Sequence, residues 1–179
     1  MSGLVVVSGA PGTGKTTVAA ALAVGLGWPL LALDTVKETL ADALGRGDED
    51  WSNRVGDAAA AVVFRMATAT PYAVVEGWWR RERRDLALAE FTGRAAVEVF
   101  CHCDPALVEA RARDRLAASR HPIHRDSINP ALIAGVGEYS ATVTPLGVAP
   151  ALVRVDTGRP EATSSALVAV RAALADRDT

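Results

Sequence analysis

Gly9-Ala10-Pro11-Gly12-Thr13-Gly14-Lys15-Thr16 spells G-x-x-x-x-G-K-T directly after the apolar run Leu4-Val5-Val6-Val7 and directly before a helical pattern. A strand, a glycine-rich turn and a helix in that order are the context a phosphate-binding loop needs. The glycines let successive backbone N–H groups turn inward around a phosphate chain. Lys15 adds a mobile positive charge for the β and γ oxygens, and the Thr16 hydroxyl is suited to ligate Mg²⁺. The segment Gly9, Ala10, Pro11, Gly12, Thr13, Gly14, Lys15, Thr16 and Thr17 is therefore the expected binding element for a nucleoside triphosphate and its Mg²⁺.

Outward from this loop the chain alternates strand and helix patterns. Short apolar runs over 4–8, 29–33, 72–76, 95–103 and 151–155 read as buried strands. Helical patterns occupy 15–25, 36–44, 54–70, 80–91, 104–118, 130–142 and 161–175. Polar residues 45–53 and 119–129 read as loops, and Asp34 closes the second strand where it can also cap the helix that follows. Strands of this kind separated by helices imply a parallel sheet covered on both faces, an α/β fold. Ligands of such sheets bind beyond the carboxyl ends of the strands.

Composition sets outer limits. At 179 residues with 50% hydrophobic content, the chain suits a single domain spanning 1–179. A formal charge of −2 argues against a general nucleic-acid surface, which needs a basic field. No apolar run approaches membrane-spanning length and the start shows no signal-peptide pattern, so a cytoplasmic protein is expected. Only Lys15 and Lys37 are lysine among 19 basic residues. Against that arginine bias, a lysine at 37 suggests a local need for a flexible ammonium.

Residues at the strand ends supply the candidate chemistry. Asp34 is placed to accept the proton of an attacking hydroxyl, and Lys37, one helical turn on, to hold an anion or the carboxylate itself. Glu76 ends the third strand, where an acidic residue can orient a metal-bound water or face an acceptor. Trp78 and Trp79 follow it and are candidates for the wall of an acceptor pocket, or for the core. Arg54 is a further candidate for that pocket. On the helix after 104, Arg111 and Arg115 share one face, and Arg120 lies in the loop beyond. Guanidinium groups in such positions stabilise the charge of a transferring phosphoryl group. The Cys101-His102-Cys103 run has the wrong spacing for a structural zinc site.

The phosphate loop, Asp34-x-x-Lys37, the strand ending at Glu76, Cys103-Asp104-Pro105 leading to Arg111 and Arg115, and Val155-Asp156-Thr157 together resemble the small P-loop kinases of the adenylate-kinase-like group. Within it the chain is similar to the AAA-type predicted kinases related to polynucleotide kinase and chloramphenicol phosphotransferase. The resemblance implies a three-layer fold, a five-stranded parallel sheet of order 2-3-1-4-5 and an arginine-rich lid over about 112–135. It also implies Asp34 as base, Arg111 near the adenine, Arg115 and Arg120 near the phosphates, and Arg159 at the border of the base. Lys37 stands where polynucleotide kinases often carry arginine, which speaks against a nucleic-acid acceptor.

Two function classes follow. One is an ATP-dependent, Mg²⁺-requiring kinase acting on a hydroxyl of a small molecule such as a secondary metabolite or antibiotic, a sugar or a nucleotide. The other is a nucleotide-binding switch or regulatory ATPase with no small-molecule acceptor. The acceptor and the oligomeric state are not written in the residues.

Overall fold

The computed structural model describes residues 3–79, 81–117, 121–124 and 135–176. Five strands, β1 (Gly3–Ser8), β2 (Leu30–Ala32), β3 (Tyr72–Glu76), β4 (Ala95–His102) and β5 (Ala151–Asp156), form one sheet of order β2-β3-β1-β4-β5. Every pairing is parallel. All carboxyl ends therefore meet along one edge, as the strand-and-helix rhythm predicted.

Alternation along β1 divides the core in two. Val5 and Val7 face α1 (Lys15–Leu26) and the last helix, α7 (Ala162–Ala175). Leu4 and Val6 face the other side, where α3 (Glu49–Ala69) and α4 (Arg81–Phe91) supply Val63, Phe64 and Phe91. Both faces of β1 are fully buried, which is why its sequence is continuously apolar rather than alternating. The same alternation turns Glu76 toward α1, on the side of Val74, and Ser8 away from it, on the side of Val6.

Three boundaries differ from the sequence reading by more than the residue or two by which element ends ordinarily vary. β2 ends at Ala32 and α2 (Leu33–Leu44) begins at Leu33, so Asp34 lies in the first helical turn and does not cap it. Leu33 is buried in the core, and that packing draws the helix start forward past the polar residue. α3 begins at Glu49 rather than 54, because Asp48 is its N-cap and accepts from the Trp51 N–H at 2.8 Å. The expected helix over 130–142 is seen as α6 (Val136–Thr142), its earlier part lying outside the described residues. Before it come α5 (Pro105–Ala117) and a short 3₁₀ turn, Pro122–His124.

Candidate active site

The phosphate loop leaves β1 and folds back on its own carbonyl. Ala10 O accepts from Thr13 Oγ1 at 2.7 Å and from Lys15 Nζ at 3.0 Å. Gly12 sits at φ 87°, a left-handed conformation that glycine alone adopts at no steric cost. A methyl group there would lie 2.8 Å from Val108 Cγ1 and 3.1 Å from Arg115 Nη2. Backbone conformation and crowding by α5 thus require the same residue.

Lys15 and Glu76 are both buried, and they face each other across α1 and β3. Burial pushes the Lys15 ammonium below its usual range, opposed first by the Glu76 carboxylate and then by Asp34. Burial likewise raises Glu76, opposed by Lys15, while Asp34 pushes it further up. The Thr16 hydroxyl, as a hydrogen-bonding group, acts the other way and lowers it. Register explains the meeting: Glu76 pairs with Val7 on one side and Ala32 on the other. The end of β3 therefore stands between the root of the phosphate loop and the start of the helix that carries Asp34.

On the α2 side, Lys37 Nζ donates to Ser52 Oγ at 3.2 Å, and Ser52 Oγ donates to Ile123 O at 3.0 Å. Ser52 is buried, whereas Arg54 is exposed, two residues on around α3 from the buried face of Ser52, Val55 and Gly56. The half-buried Trp78 meets Tyr139 of α6 edge-on at 6.1 Å. Trp79 is in the core instead, stacked on Phe64 at 5.4 Å and edge-on to Phe91 at 5.5 Å. Its indole N–H has no hydrogen-bond partner among the described residues.

The opposite wall is built on Arg111. Its guanidinium donates to Thr157 Oγ1 and Thr157 O, each at 2.9 Å, and reaches Gly12 O at 3.4 Å. Thr157 Oγ1 in turn donates to Thr13 O at 2.8 Å. Arg115, one turn further along α5, donates from Nε to Arg111 O at 3.3 Å, and its charge also lowers the Lys15 ammonium. Arg159 is exposed on the turn after β5, with Nε 3.4 Å from Asp156 Oδ2. The Gly158 N–H, and then Arg159, hold the Asp156 carboxyl below its ordinary range. Arg120 lies outside the described residues, as do 118–119 and 125–134 of the expected lid.

Tyr139 and Glu98 belong to no motif of the sequence, Thr157 enters there only as the end of Val155-Asp156-Thr157, and Ser52 only as one residue of a polar segment. Glu98 is buried in the middle of β4 and accepts from Ser8 Oγ at 2.9 Å, Leu146 N at 2.6 Å and Gly147 N at 2.7 Å. It ties the residue preceding the phosphate loop to the connection between α6 and β5. A charged residue inside an otherwise apolar strand is the one signal that marks it, since a buried carboxylate must be satisfied by donors.

An AAA domain family model matches residues 4–130. The fold is similar to that of a "putative kinase" from Chloroflexus aurantiacus J-10-fl, at 33% identity and TM-score 0.82, covering 97% of this chain and 98% of that one. It is also similar to a gluconokinase from Sinorhizobium meliloti 1021, at 20% identity and TM-score 0.64, covering 98% and 95%. A shikimate kinase from Acinetobacter baumannii in complex with shikimate aligns at 19% identity and TM-score 0.57, covering 99% and 95%. No curated protein matches the chain. With the family matched over most of its length, the chain belongs to the AAA domain family and has the P-loop kinase fold of the adenylate-kinase-like group.

Proposed function

We propose that this protein is an ATP-dependent kinase that transfers the γ-phosphate to a hydroxyl group of a small molecule. The observation that carries the reading is the grouping of Lys15, Glu76 and Asp34, whose charges act on one another at the end of β3. The phosphate loop and Lys15 hold the triphosphate; Arg111 braces the loop from α5, and Arg115 adds positive charge beside Gly12. Asp34 accepts the proton of the attacking hydroxyl, a role worth about 10²–10⁴-fold in rate. Arg115, with Arg120 from the lid, offsets negative charge spread over the transferring group. Arg159 lies toward the base, and Lys37 and Trp78 toward the acceptor, with Arg54 as an outer contributor to that side, while Trp79 serves the core.

The oxygen donors at Thr16 and Glu76, a hydroxyl and a carboxylate that act on one another, fit a hard cation such as Mg²⁺. When bound, Mg²⁺ supplies charge neutralisation on the phosphate oxygens. Glu76 then orients the Thr16 hydroxyl, and Asp34 remains the group facing the acceptor.

Gluconokinase and shikimate kinase carry the same fold, so polyhydroxylated acids and sugars are the first acceptors to try, followed by nucleosides and hydroxylated antibiotics. The test is ATP turnover measured with and without such a panel, using the native chain and Asp34→Asn. Acceptor-stimulated turnover that falls at least ~100-fold in the variant supports the reading. ATP hydrolysis indifferent to every acceptor, or an Asp34→Asn enzyme with intact acceptor turnover, overturns it. No helix among the described residues is long and apolar enough to cross a membrane, and the expected setting is the cytoplasm.

A further inference from the structure

Four residues, 121–124, are fastened to α2 and α3 by three separate side-chain contacts. His124 Nε2 meets Glu38 Oε1 at 2.6 Å, and His121 Nε2 meets Asp42 Oδ1 at 3.0 Å. Ser52 Oγ donates to the Ile123 carbonyl at 3.0 Å. His121 Nδ1 accepts from the Ile123 N–H at 3.2 Å, so its proton sits on Nε2 and the imidazole donates to Asp42 without needing a charge. Both histidine contacts end on acidic side chains that are partly exposed, at 37% for Glu38 and 75% for Asp42. The Ser52 contact is buried.

Ser52 differs from the histidines in a second respect. Its one hydroxyl proton goes to Ile123 O, and its lone pairs remain to accept from the Lys37 ammonium at 3.2 Å. A serine hydroxyl can do both at once, and alanine can do neither. Lys37 lies one helical turn from Asp34, so whatever fixes its ammonium also fixes a positive charge on the helix face that carries the proposed base.

We propose that Ser52 is a positioning residue for the acceptor side: its hydroxyl holds Lys37 beside Asp34 and seats the 121–124 turn against α2 and α3. The seating half stands on the contacts alone, while the acceptor half rests on the kinase reading. Because the Ser52 hydroxyl bonds Lys37 and Ile123 and no residue of the phosphate loop, its removal is expected to act on the acceptor and not on ATP. The conservative variant Ser52→Thr keeps the hydroxyl and Ser52→Ala removes it.

Two measurements on the full chain decide the matter. The first is trypsin cleavage after Arg120 and Arg125, which bracket the turn in sequence, followed by mass spectrometry. Ser52→Ala is expected to speed cleavage about 10-fold, the loss of one hydrogen bond to a buried partner, with Ser52→Thr closer to the native rate. Native-like cleavage in Ser52→Ala overturns the seating role, and this arm needs no acceptor, so it stands or falls apart from the kinase reading. The second uses whichever panel compound supports turnover. Ser52→Ala is expected to raise KM for that compound about 10-fold at unchanged KM for ATP, and Lys37→Met to erase the difference between serine and alanine at 52. Equal losses in both KM values, or additive effects of the two substitutions, overturn the positioning role. Absence of turnover with every compound overturns the acceptor half along with the kinase reading and leaves the cleavage result to decide the seating.

Discussion

The Thr157 hydroxyl donates to the Thr13 carbonyl at 2.8 Å, joining residues 144 apart in sequence and pinning the phosphate loop to the turn after β5. The same hydroxyl accepts from Arg111 Nη1 at 2.9 Å. Removing it leaves the Thr13 carbonyl and one guanidinium N–H without that partner. Hydrogen bonds to charged groups contribute about 1.5–3 kcal/mol, enough for a tenfold change or more. Thr157→Val, which keeps the shape, is expected to raise KM for ATP by about 10-fold with a smaller fall in kcat. Steady-state kinetics at varied ATP check this, and an unchanged KM would show that the loop holds its form without Thr157.

Gly12 and Gly27 have nearly the same left-handed backbone, φ 87° and 68°, but very different surroundings. A methyl group at Gly12 would meet Val108 and Arg115 at 2.8 and 3.1 Å, whereas nothing lies within 4 Å of one at Gly27. Gly27→Ala then carries only the left-handed penalty of about 1–2 kcal/mol, a fall in Tm of a few degrees. Gly12→Ala adds displacement of α5 from the phosphate loop. Isothermal titration with ATP should show native affinity in the first variant and at least ~10-fold weaker binding in the second. Equal affinities would mean that α5 yields freely.

The sheet was legible because its determinants are local. The first three strands carry short apolar runs, and their order in the sheet, with β1 central, is the one the resemblance implied. Lys15, Asp34 and Glu76 were legible for the same reason, since each follows or closes a strand and parallel pairing gathers those ends. What escaped was set by partners far along the chain. Ser52 lies in what reads as polar loop until Asp48 is recognised as a helix cap, and its hydroxyl bonds a carbonyl 71 residues away. Glu98 looks like an interruption of β4, and the N–H groups that satisfy it come from 48 and 49 residues downstream. Trp78 and Trp79 are adjacent and alike in sequence, yet only Trp79 finds Phe64 and Phe91.

Both cysteines are free, and their surroundings separate them. Burial pushes the Cys101 thiol up to about 12, so almost none is thiolate near neutrality. Cys103 is partly exposed, with its Sγ 3.5 Å from Arg111 Nη1. An aromatic disulfide reagent at about pH 8 is expected to modify one thiol in the folded protein and both after denaturation. Because Arg111 also braces the phosphate loop, ATP with Mg²⁺ is expected to slow the modification of Cys103. Rapid reaction of both thiols in the folded protein would show that Cys101 is reached by solvent.

Asp156 gives a pH dependence whose sign can be worked out. The Gly158 N–H donates to its carboxylate at 3.0 Å and the Arg159 guanidinium adds to this, so the folded group holds its proton less readily than the unfolded one. A carboxyl depressed on folding stabilises the native state above its unfolded pKa, about 4, and loses that contribution as pH falls through the lower folded value. Asp156→Asn keeps an acceptor for the Gly158 N–H but removes the charge. Melting temperatures of the native chain and the variant are therefore expected to differ near neutrality, and to converge as the medium is acidified below about pH 4. A difference that stays constant across that range would assign the effect to shape at the turn, and the charge on Asp156 would then have no part in holding Arg159 and Thr157 in place.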